Sequence, residues 1–339
     1  MCSRVFEQHI HAKAVVYMGV RARSEAMRSD GRGASCHLCG LNEGGNRAVK
    51  RKAAPVVAAV HDLSCVGRCA LTVVLPALAV MGVQPVPLPT AVLSTHTGGF
   101  SDMAAQTLDG FMADCVAHWK ALDLKLDAVY SGYLATVDQV RLVADLIDYA
   151  RGTNNALAVV DPVMGDEGQL YSAIPRDMPA VMKTLCDAAD LITPNLTEAA
   201  LMLDAPYCED GLTNAEIYDM LRGFNARRAV ITSVALADGR PANVYRTRGE
   251  NGFWVCPYRR VPVHYPGTGD LFASVLTGAL VKGEPLGGAV ALASDYVRRV
   301  MEESSVTEGE PRYGVQLEKT LGWLANPMPV EDASVFVAM

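Results

Sequence analysis

From Ala53 onward, short apolar runs alternate with longer segments of helical spacing, and this alternation limits the folds open to the chain. The runs 56–60 and 157–160 are continuously apolar rather than alternating with polar residues. Strands of that kind are buried on both faces, and helices between them place neighbouring strands in parallel. We therefore expect an α/β fold, a three-layer α/β/α sandwich with a mostly parallel central sheet.

The predicted elements follow this alternation along the chain. The predicted strands are 56–60, 91–94, 128–131, 157–161, 191–193, 229–232 and 253–255. The predicted helices are 72–81, 104–122, 136–151, 175–188, 197–203, 213–225, a long helix that starts within 264–280, and 285–302. We interpret 53–325 as one domain, 1–52 as a disordered N-terminal extension and 326–339 as a peripheral C-terminal tail.

Charge separates the first 52 residues from the rest. They hold ten Lys and Arg against four Asp and Glu, a net charge of +6. Because the whole chain carries −7, the other 287 residues carry −13, and an acidic body argues against a nucleic-acid surface. The nine cysteines are too scattered for a disulfide framework. No apolar run approaches a membrane helix, and no signal peptide is evident. We expect a cytoplasmic protein without a nucleic-acid or membrane partner.

Polar residues cluster directly after the predicted strands. Ligands of parallel α/β sheets bind beyond the carboxyl ends of the strands, so these residues should meet at one edge. The segments are 61–68, 94–99, 131–133, 161–166, 193–198 and 232–233. One such segment alone indicates only a turn or a helix cap. Six of them, with five acidic or amide groups, predict a site.

Asn195 and Glu198 begin a predicted helix directly after a strand and a proline. One interpretation is a helix cap with an acid in the first turn, which the helix dipole favours. The other is a carboxylate that holds water around Mg²⁺, with Asp161 and Asp166 as further acids near the metal. Three carboxylates at one sheet edge repel one another, which gives a cation a physical reason to bind there.

The stretch Gly267-Thr268-Gly269-Asp270 lies where the long helix should begin. Exposed N–H groups at a helix N-terminus bind anions, and fixed donors stabilise the oxygens of a phosphoryl group in transfer. Asp270 is then either the helix N-cap or a general base for an attacking hydroxyl. The chain has no G-x-x-x-x-G-K-[ST] loop, so a kinase with this site would not be built on the P-loop.

The pair Asn195-x-x-Glu198 and Gly267-Thr268-Gly269-Asp270 resembles the motif pair of the ribokinase-like superfamily. Within it, segments 94–99, 161–166 and 193–198 are similar to the vitamin B6 kinases, the pyridoxal and pyridoxamine kinases. The likeness covers about residues 54–325 and is greatest to a bacterial pyridoxamine kinase branch, whose first loop also reads His-Asp-Leu-Ser. It implies a ribokinase-like fold, a homodimer, and phosphorylation of the 5′-hydroxymethyl group of pyridoxal, pyridoxamine or pyridoxine by ATP.

The resemblance also implies roles for individual residues. Asp270 would be the general base, and Gly267, Thr268 and Gly269 would form the anion hole for the γ-phosphate. Glu198, Asp166 and Asp161 would organise Mg²⁺ and a monovalent cation such as K⁺. The residues implied on the nucleotide side are Asp161, Tyr171, Thr193, Asn195, Glu198, Thr232, Ser233 and Thr268. The residues implied around the pyridine substrate are His61, Asp62, Ser64, His96, Thr97, Tyr133 and Asp270.

The first loop departs from the usual pyridoxal kinase pattern. Its spacing, Asp62-x-Ser64-x-x-Gly67, is more similar to the hydroxymethylpyrimidine kinases of thiamine synthesis. It is therefore open whether His61, Asp62 or Ser64 meets the ring. Those pyrimidine kinases commonly carry cysteine at the position of Asp270, which favours a B6 vitamer here.

Two alternatives to a B6 kinase remain from the sequence. One is a hydroxymethylpyrimidine kinase, and the other is a non-catalytic vitamer-binding protein that has kept the fold. The intact set of Asn195, Glu198 and Asp270 argues against the second, because a binding protein needs no base. A second departure, the short proline-bearing segment 263–266, is expected to alter the loop on the adenine side.

Overall fold

The computed structural model describes residues 53–327 and 329–339, and the predicted N-terminal extension 1–52 lies outside them. The described residues form twelve strands, ten of them in one sheet. In chain order they are β1 (Val56–Ser64), β2 (Gln84–Leu93), β3 (Ala105–Thr107), β4 (Ala128–Ser131), β5 (Leu157–Val160), β6 (Gly165–Asp166), β7 (Gln169–Leu170), β8 (Leu191–Ile192), β9 (Arg228–Ala235), β10 (Pro241–Thr247), β11 (Gly252–Pro257) and β12 (Val335–Ala338).

Helices connect these strands. In chain order they are α1 (Leu71–Val80), α2 (Asp109–Ala121), α3 (Val137–Asn154), α4 (Met178–Asp187), α5 (Leu196–Leu203), α6 (Asn214–Arg222), α7 (Thr268–Val281), α8 (Leu286–Ser305), α9 (Leu317–Thr320) and α10 (Gly322–Ala325), with a 3-10 turn at Pro311–Tyr313. Among the described residues, no helix is both long and apolar enough to cross a membrane.

The sheet is parallel at its centre and antiparallel at its edges. Its strand order is β12-β11-β10-β9-β8-β5-β4-β1-β2-β3, and the six strands from β9 to β2 are parallel neighbours. The strands β10, β11 and β12 at one edge and β3 at the other pair antiparallel. β6 and β7 form a separate two-stranded hairpin. The predicted mostly parallel central sheet is confirmed.

Two hydrophobic cores lie on opposite faces of this sheet. On β1, Ala58 and Val60 belong to the core that includes α2 to α6, whereas Val57 and Ala59 belong to the core that includes α1 and α7 to α10. All four residues have no exposed surface. A strand buried on both faces needs a continuous apolar run, which explains the pattern seen in the sequence. The predicted three-layer sandwich is confirmed.

Strand β2 is longer than its predicted core 91–94, because it begins at Gln84 and contains three prolines. The N–H of Gln84 donates to the Pro55 carbonyl on the β1 side, 2.8 Å away. The backbone nitrogens of the alternate residues Pro85, Pro87 and Pro89 therefore point to the other side of β2. On that side β3 pairs with β2 only from Ala91 onward. Proline is tolerated on an open strand edge, because no N–H is required there.

One predicted boundary was wrong, and one strand was missed. The predicted helix 104–122 begins at Asp109, because residues 105–107 pair with the end of β2 as β3. The strand β10 was not predicted. Its sequence alternates, with Ala242 and Val244 in one core and Tyr245 in the other, and it lacks the continuous apolar run of the parallel strands.

Two further boundaries concern the ends of the domain and of β1. β1 continues through Ser64, so the predicted loop residues His61, Asp62 and Ser64 lie on the strand itself. Its pairing with β2 is irregular between His61 and Leu63, where β2 carries one extra residue between Pro89 and Val92. At the other end of the chain, Val335–Ala338 pairs with β11, so the predicted C-terminal tail supplies the outermost strand of the sheet.

Candidate active site

The carboxyl ends of the parallel strands bring several predicted site residues to one edge of the sheet. Asp161 follows β5, and its N–H donates to the Ser131 carbonyl at the end of β4, 2.8 Å away. The Thr193 N–H donates to Val160 at the end of β5, 3.1 Å away. Asn195 is paired with Thr232 of β9. As predicted, the carboxyl ends of these strands lie at the same edge of the sheet.

The N-terminus of α7 carries the glycine-rich stretch. Gly267 is its N-cap with φ 80°, and a Cβ there would lie only 2.1 Å from the Arg68 carbonyl oxygen. Glycine is required at this position for both reasons. The Leu271 N–H donates to the Gly267 carbonyl at 3.0 Å, but within the described residues the N–H groups of 268–270 have no protein acceptor. These are the groups that bind anions at helix N-termini.

Asp270 is not the N-cap of its own helix, contrary to one of the two sequence interpretations. It is the third residue of α7, and its carboxylate crosses to the start of α1. Its Oδ2 accepts the Ala70 N–H at 2.8 Å and the Cys69 thiol at 3.4 Å. The side chain is 11% exposed, and burial raises the pKa of Asp270. Its Oδ1 has no hydrogen-bond partner among the described residues, so one oxygen is available for chemistry.

Two neighbouring carboxyl groups are also perturbed. Burial, followed by the charge of Asp270, raises the pKa of Asp62 to about 7 and that of Asp161 to about 8. Ser64 Oγ donates to Asp62 Oδ2 at 2.9 Å, which opposes part of the shift. These carboxyl groups repel one another electrostatically, so a positive charge at this edge would be stabilising.

Asn195 and Glu198 form a complete capping box at the start of α5. The Glu198 N–H donates to Asn195 Oδ1, and Glu198 Oε2 accepts the Asn195 N–H, both at 2.8 Å. Glu198 Oε1 accepts the Met164 N–H at 3.1 Å. Burial, followed by the charge of Asp161, raises the pKa of Glu198 well above its usual value. The cap predicted as one interpretation of this pair is thus present.

A metal site made by protein side chains alone is not evident. Within the described residues, no group of three or more His, Cys, Asp or Glu side chains is arranged to hold a metal ion. Mg²⁺ in kinases usually takes one or two carboxylates and completes its shell with water and nucleotide phosphates. Within the described part of the chain, the buried hydroxyl of Ser131 has no hydrogen-bond partner, and the Thr193 hydroxyl opposes part of the rise in the pKa of Asp161. The residues therefore fit a cation shared with a bound nucleotide.

The predicted ring-binding residues divide into two groups. His61 is fully buried beside Asp270. Tyr133 is half-buried near Asp62, and burial, followed by the charge of Asp62, raises the pKa of the Tyr133 hydroxyl. His96 differs, because its Nδ1 accepts the Gly98 N–H at 3.1 Å and its Nε2 lies 2.7 Å from the Arg312 carbonyl oxygen. Neither nitrogen of His96 is free for a ligand. Thr97 is exposed.

Two of the predicted nucleotide-side residues, Tyr171 and Thr232, lie close to Glu198 and Asn195. Burial and then the charges of Glu198 and Asp166 raise the pKa of Tyr171, which places its hydroxyl among these acids. The Thr232 N–H donates to the Pro194 carbonyl at 2.9 Å. Ser233 is exposed in the left-handed region at φ 58°, and its N–H donates to the side chain of Asn243.

Two residues that contact Asp270 were missed by the sequence analysis. Cys69 and Ala70 lie just beyond the predicted strand-end segment 61–68, at the entrance to α1. Ala70 has φ 50°, an unusual conformation for alanine that orients its N–H toward Asp270. No composition signal marks alanine for such a conformation. Only the position directly after a strand-end segment could have suggested these two residues.

Comparison with known proteins agrees with this geometry. The family model described as phosphomethylpyrimidine kinase matches residues 75–314. A pyridoxal kinase from Bos taurus is 30% identical over 226 residues, which cover 59% of this chain and 69% of the bovine protein. The chain belongs to the pyridoxal kinase family of the ribokinase-like superfamily.

Solved structures are similar to this chain over most of its length. Pyridoxal kinase from Lactobacillus plantarum is 34% identical with a TM-score of 0.72, covering 80% of this chain and 96% of that one. A candidate phosphomethylpyrimidine kinase from Bacteroides thetaiotaomicron, crystallised with pyridoxal, is 38% identical with a TM-score of 0.78. It covers 84% of this chain and 100% of its own. The predicted ribokinase-like fold is confirmed.

Proposed function

We propose that this protein transfers the γ-phosphoryl group of ATP to the 5′-hydroxymethyl group of pyridoxal, pyridoxamine or pyridoxine. The observation that carries the proposal is the Asp270 carboxylate, which is only 11% exposed and keeps Oδ1 without a partner among the described residues, beside helix N–H groups that lack an acceptor there. The pyridoxal in the related Bacteroides structure supports a pyridine acceptor. The kinase relatives support ATP as the donor, together with a divalent metal.

In this proposal Asp270 accepts the proton of the attacking hydroxyl through Oδ1. The raised pKa of Asp270 makes its carboxylate a stronger base than an exposed aspartate. A bond forms between the hydroxyl oxygen and the γ-phosphorus while the bond to the departing ADP oxygen breaks. Gly267 shapes the helix start, and the N–H groups of Thr268 and Gly269 stabilise the charge on the γ-phosphate oxygens.

The acids at the strand ends would hold the metal. Asp161, Asp166 and Glu198 would be the carboxylates for Mg²⁺, and a monovalent cation such as K⁺ would lie beside them. Bound Mg²⁺ supplies positive charge to the phosphate oxygens. Because both oxygens of Glu198 already accept backbone N–H groups, we expect Glu198 to act through water rather than as a direct ligand.

The remaining site residues surround the two substrates in this proposal. The nucleotide side comprises Asp161, Tyr171, Thr193, Asn195, Glu198, Thr232, Ser233 and Thr268. The vitamer side comprises His61, Asp62, Ser64, Thr97, Tyr133 and Asp270. We leave the imidazole nitrogens of His96 out of ligand binding, because both are bonded to the backbone. The homodimer and the cytoplasmic location expected from the sequence belong to the proposal, and sedimentation of the purified protein tests the dimer.

A hydroxymethylpyrimidine kinase is the second candidate, favoured by the description of the matching family model and by the Asp62-x-Ser64-x-x-Gly67 spacing. One assay separates the candidates: phosphorylation of pyridoxal, pyridoxamine, pyridoxine and hydroxymethylpyrimidine with ATP and Mg²⁺. We expect turnover of the pyridines, and Asp270→Asn serves as the inactive control. Turnover of the pyrimidine alone would support the second candidate. Binding of a vitamer with no turnover of any compound would indicate a binding protein.

A further inference from the structure

His61 is a buried polar side chain without a partner. Its exposed fraction is 0%, and within the described residues neither ring nitrogen makes a hydrogen bond. Burial lowers the pKa of His61 to about 3, so the ring is neutral and carries one N–H donor and one acceptor nitrogen. Buried polar atoms without partners are uncommon and destabilising in native proteins, which calls for a functional explanation.

Three groups surround this ring. Tyr130 packs against it edge to face, with ring centroids 4.4 Å apart. Gly132 leaves room for it, because a Cβ at that position would lie 2.1 Å from His61 Nδ1. Asp270 faces it, with Oδ1 3.9 Å from Nδ1.

The distance between His61 and Asp270 is too long for a direct hydrogen bond but suits a shared third atom. For an oxygen about 2.8 Å from both Nδ1 and Oδ1, the angle between the two contacts would be roughly 90°, which is a feasible hydrogen-bond geometry for a hydroxyl. Oδ1 is also the oxygen of Asp270 that Cys69 and Ala70 leave free. Because neither nitrogen of His61 is exposed, a hydroxyl reaches both atoms once the ring shifts toward Asp270 on substrate binding.

We infer that His61 binds the acceptor hydroxyl of the substrate through Nδ1 while that hydroxyl donates its proton to Asp270 Oδ1. The inference rests on the proposed kinase function and adds a second contact to the reacting oxygen. The His61 proton stays on Nδ1 throughout, the hydroxyl proton passes to Asp270, and the hydroxyl oxygen forms the new bond to phosphorus. Two fixed contacts orient the remaining lone pair of that oxygen toward the phosphate, a positioning effect.

Three substitutions at His61 test which atom matters. His61→Phe keeps the ring and its contact with Tyr130 but removes both nitrogens, and we expect kcat to fall about 10–100-fold. His61→Asn places an amide nitrogen near the position of Nδ1 and should recover part of kcat. His61→Gln places its amide nitrogen nearer the position of Nε2 and should recover less. The KM for ATP should stay unchanged in all three.

Binding of a matched ligand pair separates this role from simple packing. Wild type should bind pyridoxine more tightly than its 5′-deoxy analogue, measured by calorimetry without nucleotide. His61→Phe should bind the analogue as well as wild type does but lose most of the preference for pyridoxine. Gly132→Ala, which displaces the ring, should reproduce the loss of preference if His61→Phe folds poorly.

His96→Phe is the matched stability control, because His96 is also buried but both of its nitrogens are bonded to the backbone. We expect it to lower Tm, whereas His61→Phe should leave Tm equal or higher. A wild-type kcat in His61→Phe, or an equal loss of affinity for pyridoxine and its analogue, would overturn the inference while the kinase function stands. A wild-type protein inactive on every vitamer would overturn the function and the inference together.

Discussion

Two helices at the site each carry an acid with little exposed surface at their third residue, and they use it in opposite ways. In α5, Glu198 bonds back to the N-cap Asn195, and both of its oxygens accept backbone N–H groups. In α7, Asp270 turns away from its own helix, and a single oxygen accepts the Ala70 N–H and the Cys69 thiol. The same helix position therefore closes one terminus and leaves the other open.

The N-cap residue explains the difference. Asn195 has a side chain that accepts the Glu198 N–H, and the reciprocal bonds of a capping box follow. Gly267 has no side chain and cannot form that pair, so the first N–H groups of α7 remain available. Asp270 is then free to contact a different segment of the chain. A capped helix supports the site, and an uncapped helix can bind phosphate and supply a base.

The largest expected effect is that of Asp270→Asn on turnover. Removing a general base should lower kcat for pyridoxal by about 10²–10⁴-fold. The affinity for pyridoxal should change little, because the amide keeps the size of the side chain and can still accept the Ala70 N–H. Steady-state kinetics and calorimetry measure the two quantities. A variant with wild-type kcat would remove Asp270 from the mechanism.

Gly267→Ala should have the next largest effect, because it disturbs the open terminus itself. The added Cβ would meet the Arg68 carbonyl at 2.1 Å in a backbone conformation unfavourable for alanine. We expect a loss of kcat of about 100-fold together with a lower Tm. Gly269→Ala is the matched stability control, since no atom lies within 4 Å of its added Cβ. Equal Tm values for the two variants would contradict this account of Gly267.

Glu198→Gln should mainly cost stability, because the closed terminus depends on this carboxylate. The glutamine side chain has one acceptor oxygen, so either the Asn195 or the Met164 N–H is left without a partner. We expect a decrease of about 1–3 kcal/mol in the free energy of unfolding, measured with urea. Glu216→Gln is the control, since its capping box with Thr213 is exposed, and it should lose less. Equal losses would show that burial of the box adds nothing.

The smallest expected effect is a change in the pH dependence of stability with Asp62→Asn. The pKa of Asp62 is raised from 3.8 to about 7, so the folded protein holds a proton that the unfolded chain has released. This contribution is fully present below pH 3.8 and is lost as pH rises through about 7. Between these pH values, the free energy of unfolding should therefore fall less steeply with pH in the variant than in wild type. The two slopes should differ by at most about 1.4 kcal/mol per pH unit. Parallel curves of Tm against pH, measured without Mg²⁺ or ATP, would argue against the shift.

The sequence predicted the frame of the molecule because its signals are local. Continuous apolar runs predicted the parallel strands, and the motifs at Asn195 and Gly267 predicted two helix starts at one sheet edge. What it could not predict depends on which segments meet. The prolines of β2 are tolerated because β3 covers only the end of that strand. The direction of the Asp270 carboxylate depends on Ala70, about 200 residues earlier in the chain.

The two histidines illustrate the same limit within the site. Both were predicted to lie near the substrate, and both are buried. Only the folded structure reveals that both nitrogens of His96 bond to the backbone, whereas those of His61 find no partner in the described part of the chain. Hydrogen bonds of that kind join residues distant in sequence, such as His96 and Arg312, so a local pattern cannot reveal them.

The thermal unfolding of Asp270→Asn at pH 8, compared with wild type and Glu198→Gln, tests the contrast between the two acids most directly. If Asp270 is an acid held for chemistry, its replacement should leave Tm unchanged or higher, because the charge that adds to the effect of burial on the pKa values of Asp62 and Asp161 is removed. A fall in Tm as large as that of Glu198→Gln would contradict the account, since Asp270 would then serve the fold as Glu198 does.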